Sequence, residues 1–243
     1  MDLPATPTAY CSDLSAGLGE PLAGTASQTE AYLLLEYPGT WGEKALEEST
    51  VPEPVKQHLK RLGKQMPTLK TLLVRSGLPQ RQPGVRFFIA STRAGEAQIY
   101  AFHLSAYEGS LEIDIPAVLS GGAGYAAYRR RDPLALVCTN GRRDVCCARK
   151  GAAAFSTLLA AAHDSPDPLV WHCSHIGGHR FAANVLLLPH GLLYGRVGVA
   201  EAGEIWRAYQ RGEIVLDNLR GRTAYPPALQ AAEHAIRSQT GRT

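Results

Sequence analysis

The sequence has no uninterrupted apolar stretch long enough to span a bilayer. Its opening, "MDLPATPTAYCSDLSAGLGE", has neither the basic start nor the apolar segment of a secretion signal, so a cytoplasmic protein with no membrane association is expected. The arginine clusters lack the interleaved aromatics on which bases stack, and the formal net charge is only +3; nucleic-acid binding is not expected. No Cys-x-x-Cys pair occurs, so the usual thioredoxin active-site motif is absent. Cysteines number five, an odd count that excludes a fully paired disulfide framework. In a reducing compartment such cysteines point to metal ligands or catalytic thiols.

What is present is ordinary globular material: 243 residues, 45% hydrophobic and 19% charged, enough for one large domain or two small ones with a real core. Basic residues gather around the first cysteine cluster, where Arg129, Arg130, Arg131, Arg142, Arg143, Arg149 and Lys150 form either a solvated face or a docking surface for an acidic partner.

The order of elements reads twice. "AYLLLEY" from Ala31 and "PLALVCT" from Pro133 are short apolar strands, each followed by a Gly-containing loop. Helices follow in "VPEPVKQHLKRLGKQ", with Val55, Leu59 and Leu62 at helical spacing, and in "GAAAFSTLLAAAH". A second strand comes next in each half, "TLKTLLVRS" and "PLVWHCSHI", and then a hairpin, "GVRFFIASTRAGEAQIYAFHL" and "NVLLLPHGLLYGRV". Strand, helix, strand and hairpin is the order of the thioredoxin fold. The expectation is an α/β protein of two thioredoxin-like units in tandem, residues 1–120 and 121–243, with mixed sheets and flanking helices. "GEIWRAYQRGEI" would close the second unit, and Pro226 and Pro227 mark the start of an extra C-terminal helix.

Chemistry concentrates in the second half. "CTNGRRDVCCARKG" carries Cys138, Cys146 and Cys147, and "WHCSHIGGHRF" carries His172, Cys173, His175 and His179. Cys138 and Cys147 bracket one loop, while His175 and His179 stand four apart across Gly177 and Gly178, whose freedom lets the backbone bend close to a bulky group. Two thiolates and two imidazoles can hold a two-iron cluster or a zinc ion. Vicinal Cys146 and Cys147 among arginines could instead act as a metal-free thiol oxidoreductase, and a Cys–His hydrolase lacks an identifiable third residue. His172 and His175 are expected to share one face of this segment and Cys173 to take the other. His172 is expected to be a packed residue and Cys173 a small buried hydrophobe. Cys11, in a polar N-terminal segment, is expected to be a free thiol, and His58, His103, His163, His190 and His234 have surface or core roles.

"CTNGRRDVCC", "SHIGGHRFAANVLLLPHGLLYGR", "PLAGT" and "YPGTWG" together resemble the sucrase/ferredoxin-like family, relatives of the thioredoxin-like [2Fe-2S] ferredoxins. The resemblance implies a cluster held by Cys138, Cys147, His175 and His179, with Arg143 and Asp144 favouring Cys147 over Cys146 as the second thiolate. It further implies supporting or docking roles for Arg142, Arg143, Asp144, Gly177, Gly178 and Arg180, and an acidic redox partner protein. The function implied is a one-electron carrier or redox sensor; a zinc-stabilised binding module is the alternative outside redox chemistry. Sugar hydrolysis would need two opposed carboxylates in a pocket, and the sequence offers none.

Overall fold

Short apolar runs set the strands of this protein, and apolar residues three and four apart set its helices. The computed structural model describes residues 10–79, 82–162, 167 and 169–242; His163 lies outside them. In chain order the first half contains α1 (Cys11–Gly17), β1 (Ala31–Glu36), α2 (Glu53–Gln65), β2 (Leu69–Ser76), β3 (Val85–Ser91), β4 (Gln98–Leu104) and α3 (Ile115–Leu119). After β5 (Arg129–Arg130) the second half follows with β6 (Leu134–Cys138), α4 (Val145–Ala161), β7 (Val170–Cys173), β8 (Val185–Leu188), β9 (Leu192–Tyr194), α5 (Val199–Gln210), β10 (Leu219–Arg222) and α6 (Pro227–Thr240).

The strand directions repeat. β1 is parallel to β2 and antiparallel to β3, which pairs with β4; β6 is parallel to β7 and antiparallel to β8, which pairs with β9. Rather than two sheets there is one of ten strands, in the order β10-β9-β8-β6-β7-β2-β1-β3-β4-β5. The join is an antiparallel pairing of β2 with β7, in which Val74, Arg75 and Ser76 face Cys173, His172 and Trp171. Each half thereby covers an edge of the other that would otherwise expose unpaired peptide groups.

Both faces of the sheet are buried, which is why β1 and β6 read as continuous apolar runs. On one face Leu33, Leu35 and Ile89 pack on Val55, Leu59 and Leu62 of α2, and Val137, Val170 and Leu187 pack on Phe155, Leu158 and Trp206 of α4 and α5. The other face is shared: Tyr32, Leu34, Leu72 and Phe88 join Leu136, Trp171, Leu186 and Leu193 in a single cluster. The sheet curls to make this contact. Thr29 donates its backbone N–H to the Thr223 carbonyl at 2.7 Å, closing the first half against the chain beyond β10.

Two helix positions differ from the expected ones. α4 begins at Val145, several residues before the Ala-rich run, so Cys146 and Cys147 lie in its first turn rather than in a loop. Asp144 causes this: its side chain caps the helix by accepting the Cys146 N–H at 2.8 Å. The segment opening with Cys11 is itself a short helix, α1.

Candidate metal centre

The sulfurs converge because two chain segments end together. β6 delivers Cys138 at its carboxyl end, and after six intervening residues α4 returns over that end. Gly151 lets it come close, since a Cβ there would run into the Cys138 carbonyl oxygen. Cys147, one turn earlier on α4, is thereby set against Cys138, and both are buried. β7, parallel to β6, ends beside it at Cys173.

The chain then leaves the strand. Ser174 continues the pairing with β2 past the end of β7, donating its N–H to the Leu73 carbonyl at 2.8 Å, while its hydroxyl accepts the Leu73 N–H at 3.0 Å. A period of two puts residues three apart on opposite faces, so the expected shared face of His172 and His175 does not occur. His172 stacks on Phe155 of α4 at 3.5 Å between ring centroids and contacts the Thr139 hydroxyl at 3.2 Å. Burial and then Arg75 push its pKa down to about 4. His175 falls on the opposite side, with its Nδ1 3.9 Å from the sulfurs of both Cys138 and Cys147. The donor atoms of these three residues all lie within 4.8 Å of one another.

The two buried thiols are shifted in opposite directions. The hydrogen bond from Cys147, outweighing burial, holds Cys138 well below the ordinary thiol range, and His175 adds to the effect. Donating that bond, and being buried, pushes Cys147 upward. Two cations lie behind them. Lys70 donates to the Ile176 carbonyl. Arg220, 2% exposed, donates to the carbonyls of Gly177 at 3.1 Å and Thr25 at 2.6 Å and to Asn184 Oδ1 at 2.8 Å. Burial lowers the pKa of both, Arg220 to about 10. Gly177 and Gly178 take φ of 114° and 73°, and a side chain at Gly178 would collide with the Arg220 guanidinium.

His179 faces a second group. Its Nδ1 lies 2.7 Å from Asp144 Oδ2 and 3.1 Å from the sulfur of Cys11, which is 3.3 Å from the sulfur of Cys146. The ring centroids of His175 and His179 are 6.2 Å apart. Of the four residues named from the sequence, three meet at one point, and the fourth, His179, stands beside them in a second group with Cys11 and Asp144. Cys11 is no isolated thiol: burial first, then its bond to Cys146, pushes it up to about 11. Cys173 is fully buried in the shared core cluster.

The basic rim is largely paired. Arg143 meets Glu43 at 2.9 Å, Arg149 and Lys150 meet Asp13 at 2.8 and 2.6 Å, and Arg180 meets Glu20 at 2.7 Å. Such exposed pairs contribute little to stability. Arg142 is exposed. Sequence reasoning missed Cys11, Lys70 and Arg220, whose approach to the site spans long sequence separations with no local signal.

A fold of this kind, with thiols and imidazoles at the carboxyl ends of adjacent parallel strands, has a match among known families. The family model described as sucrase/ferredoxin-like matches residues 22–221, and the chain belongs to that family. Over 97 residues it is 32% identical to a yeast protein, altered inheritance of mitochondria protein 32 of Meyerozyma guilliermondii; the matched region is 37% of this chain and 34% of that protein. Among solved structures, a variant of the thioredoxin-like [2Fe-2S] ferredoxin from Aquifex aeolicus aligns with a TM-score of 0.32 and 18% identity, over 36% of this chain and 96% of the ferredoxin. Among the described residues no helix is long and apolar enough to cross a membrane.

Proposed function

We propose that this chain is a [2Fe-2S] redox protein, a one-electron carrier or redox sensor, with Cys138, Cys147, His175 and His179 as the ligands. The observation that carries the reading is the convergence of Cys138, Cys147 and His175, two of them buried, within 4.8 Å. The donors fit the group. Thiolates and imidazoles are its protein ligands. Two sulfurs and an imidazole buried against one another are a donor set suited to a cation. When bound, a [2Fe-2S] cluster supplies reversible one-electron transfer.

The chain's own residues do the rest. Lys70 and Arg220 offset the charge of the thiolates, and the N-terminus of α4 adds its partial positive charge at Cys147. Ile176, 2% exposed, and the shared core cluster keep water from the sulfurs. Asp144, 2.7 Å from His179 Nδ1, would accept its proton and hold the ring in one tautomer, so that Nε2 would be the ligating atom. Two neutral imidazoles in place of two thiolates make the site less negative and easier to reduce than an all-cysteine one. In this reading residues 1–120 and 121–243 are tandem thioredoxin-like units, the first supporting the second, and the arginine rim docks an acidic redox partner.

Anaerobically purified protein should show a visible chromophore bleached by dithionite, with about two irons and two acid-labile sulfides per chain. His175→Cys and His179→Cys should each keep a cluster, alter its spectrum and lower its potential. A protein that stays colourless after reconstitution with iron and sulfide, yet retains zinc, overturns the cluster in favour of a zinc-stabilised module.

A further inference from the structure

Cys11 and Cys146 are 135 positions apart in sequence, and their sulfurs are 3.3 Å apart. The approach is held from both sides. α1 is tied over the first turn of α4 by Asp13, which pairs with Arg149 and Lys150, and by the Arg149 guanidinium lying 4.3 Å from the Tyr10 ring. From the other side Arg196 donates to the Ser15 carbonyl at 2.9 Å and its hydroxyl at 3.0 Å. Cys146 is fixed by the Asp144 cap. A disulfide bond is about 2.05 Å long, so the sulfurs need close by only about 1 Å more. Cys11 is half-buried and Cys146 is 3% exposed, so an oxidant arriving from solvent meets Cys11 first.

We propose that Cys11 and Cys146 form a reversible disulfide, a two-electron thiol couple set beside the Cys138, Cys147 and His175 group and using none of its donor atoms. With hydrogen peroxide as oxidant, the Cys11 sulfur attacks one peroxide oxygen and the O–O bond breaks. Cys11 becomes a sulfenic acid, and its thiol proton leaves with the departing hydroxide as water. The Cys146 sulfur then displaces hydroxide from that sulfenic acid. The S–S bond forms, and the Cys146 proton completes a second water. A small dithiol returns both thiols by exchange and departs as its own disulfide. The bond would fasten α1 across the first turn of α4, beside His179; only this effect on access to His179 rests on the ligand assignment above.

The test treats the purified full chain with hydrogen peroxide, alkylates the remaining thiols under denaturing conditions and maps tryptic peptides by mass spectrometry. The expected product joins the peptide carrying Cys11 to that carrying Cys146 and Cys147. It disappears with dithiothreitol, is absent from Cys11→Ser and Cys146→Ser, and persists in Cys147→Ser. Full alkylation of Cys11 after peroxide overturns the proposal, as does a link that survives in Cys146→Ser. Iron and sulfide measured on the same sample separate the two readings. A colourless protein that forms the link loses the cluster and keeps the couple, and an iron-bearing protein that forms none does the reverse.

Discussion

The two halves of the sheet build the same four strands in the same directions, and they finish the ends of those strands differently. Beyond β1 in the first half, the Glu36 carboxylate accepts the Arg86 N–H at 2.9 Å and the Tyr37 hydroxyl contacts Thr50 Oγ1 at 3.2 Å. Beyond β2, Gly77 presses on the Phe155 ring of the other half. These ends are satisfied by the protein itself. In the second half the corresponding ends carry Cys138 and, after Cys173, His175, whose donors face one another. One frame thus yields a closed support and an open donor set, and the difference lies in a few residues at strand termini.

The sharpest way to break that contrast is through the crossover helices. Gly151→Ala forces a methyl against the Cys138 carbonyl, and a loss of about 1–3 kcal/mol in urea unfolding, together with loss of bound metal, is expected. The matching change in the first half, Gly63→Ala on α2, meets nothing within 4 Å and should gain about 0.5 kcal/mol. Equal effects at the two sites would erase the distinction drawn between the helices.

A smaller effect separates the cap from the ligand support. Asp144→Ala removes both the helix cap and the His179 partner, at a stability cost of about 1 kcal/mol and a fall of about 10–100-fold in metal affinity. Asp144→Asn keeps a capping oxygen, so it should retain stability while still weakening metal binding. Metal titration alongside thermal unfolding tests this, and parallel losses in both variants would make Asp144 a cap alone.

The smallest expected change concerns His172, at the junction of the halves beside Arg75. Its pKa falls from 6.5 to about 4 on folding, so the unfolded chain binds the proton more readily. Its stabilising contribution is full above pH 6.5 and is lost as pH falls toward 4. His172→Gln should flatten that part of a stability-versus-pH curve, and an unchanged slope would show that another group carries it.

Much of this was legible in the residues themselves. The apolar runs at Ala31 and Leu134 became central strands, the Val55, Leu59 and Leu62 stripe became α2, and Pro227 opens α6. The start of α4 was hidden because the Cys146–Cys147 pair and the basic Arg149 and Lys150 that follow it read as part of the loop; the signal was Asp144, a strong capping residue. The division of His172 from His175 was legible, because a period of two sets residues three apart on opposite faces; the expectation of a shared face miscounted that parity. Local sequence does not say which strand edges will meet, or that Cys11 will lie against α4.

The pairing of β2 with β7 also bears on the order in which the molecule assembles. Cys138 and Cys147 are near neighbours in sequence and can meet early, whereas the loop bearing His175 is pinned by Leu73, 101 positions away. Contacts over such separations close large loops and slow folding. Completion of the donor set therefore waits for the two halves to dock, and on the proposed reading metal capture would report that the whole chain has folded.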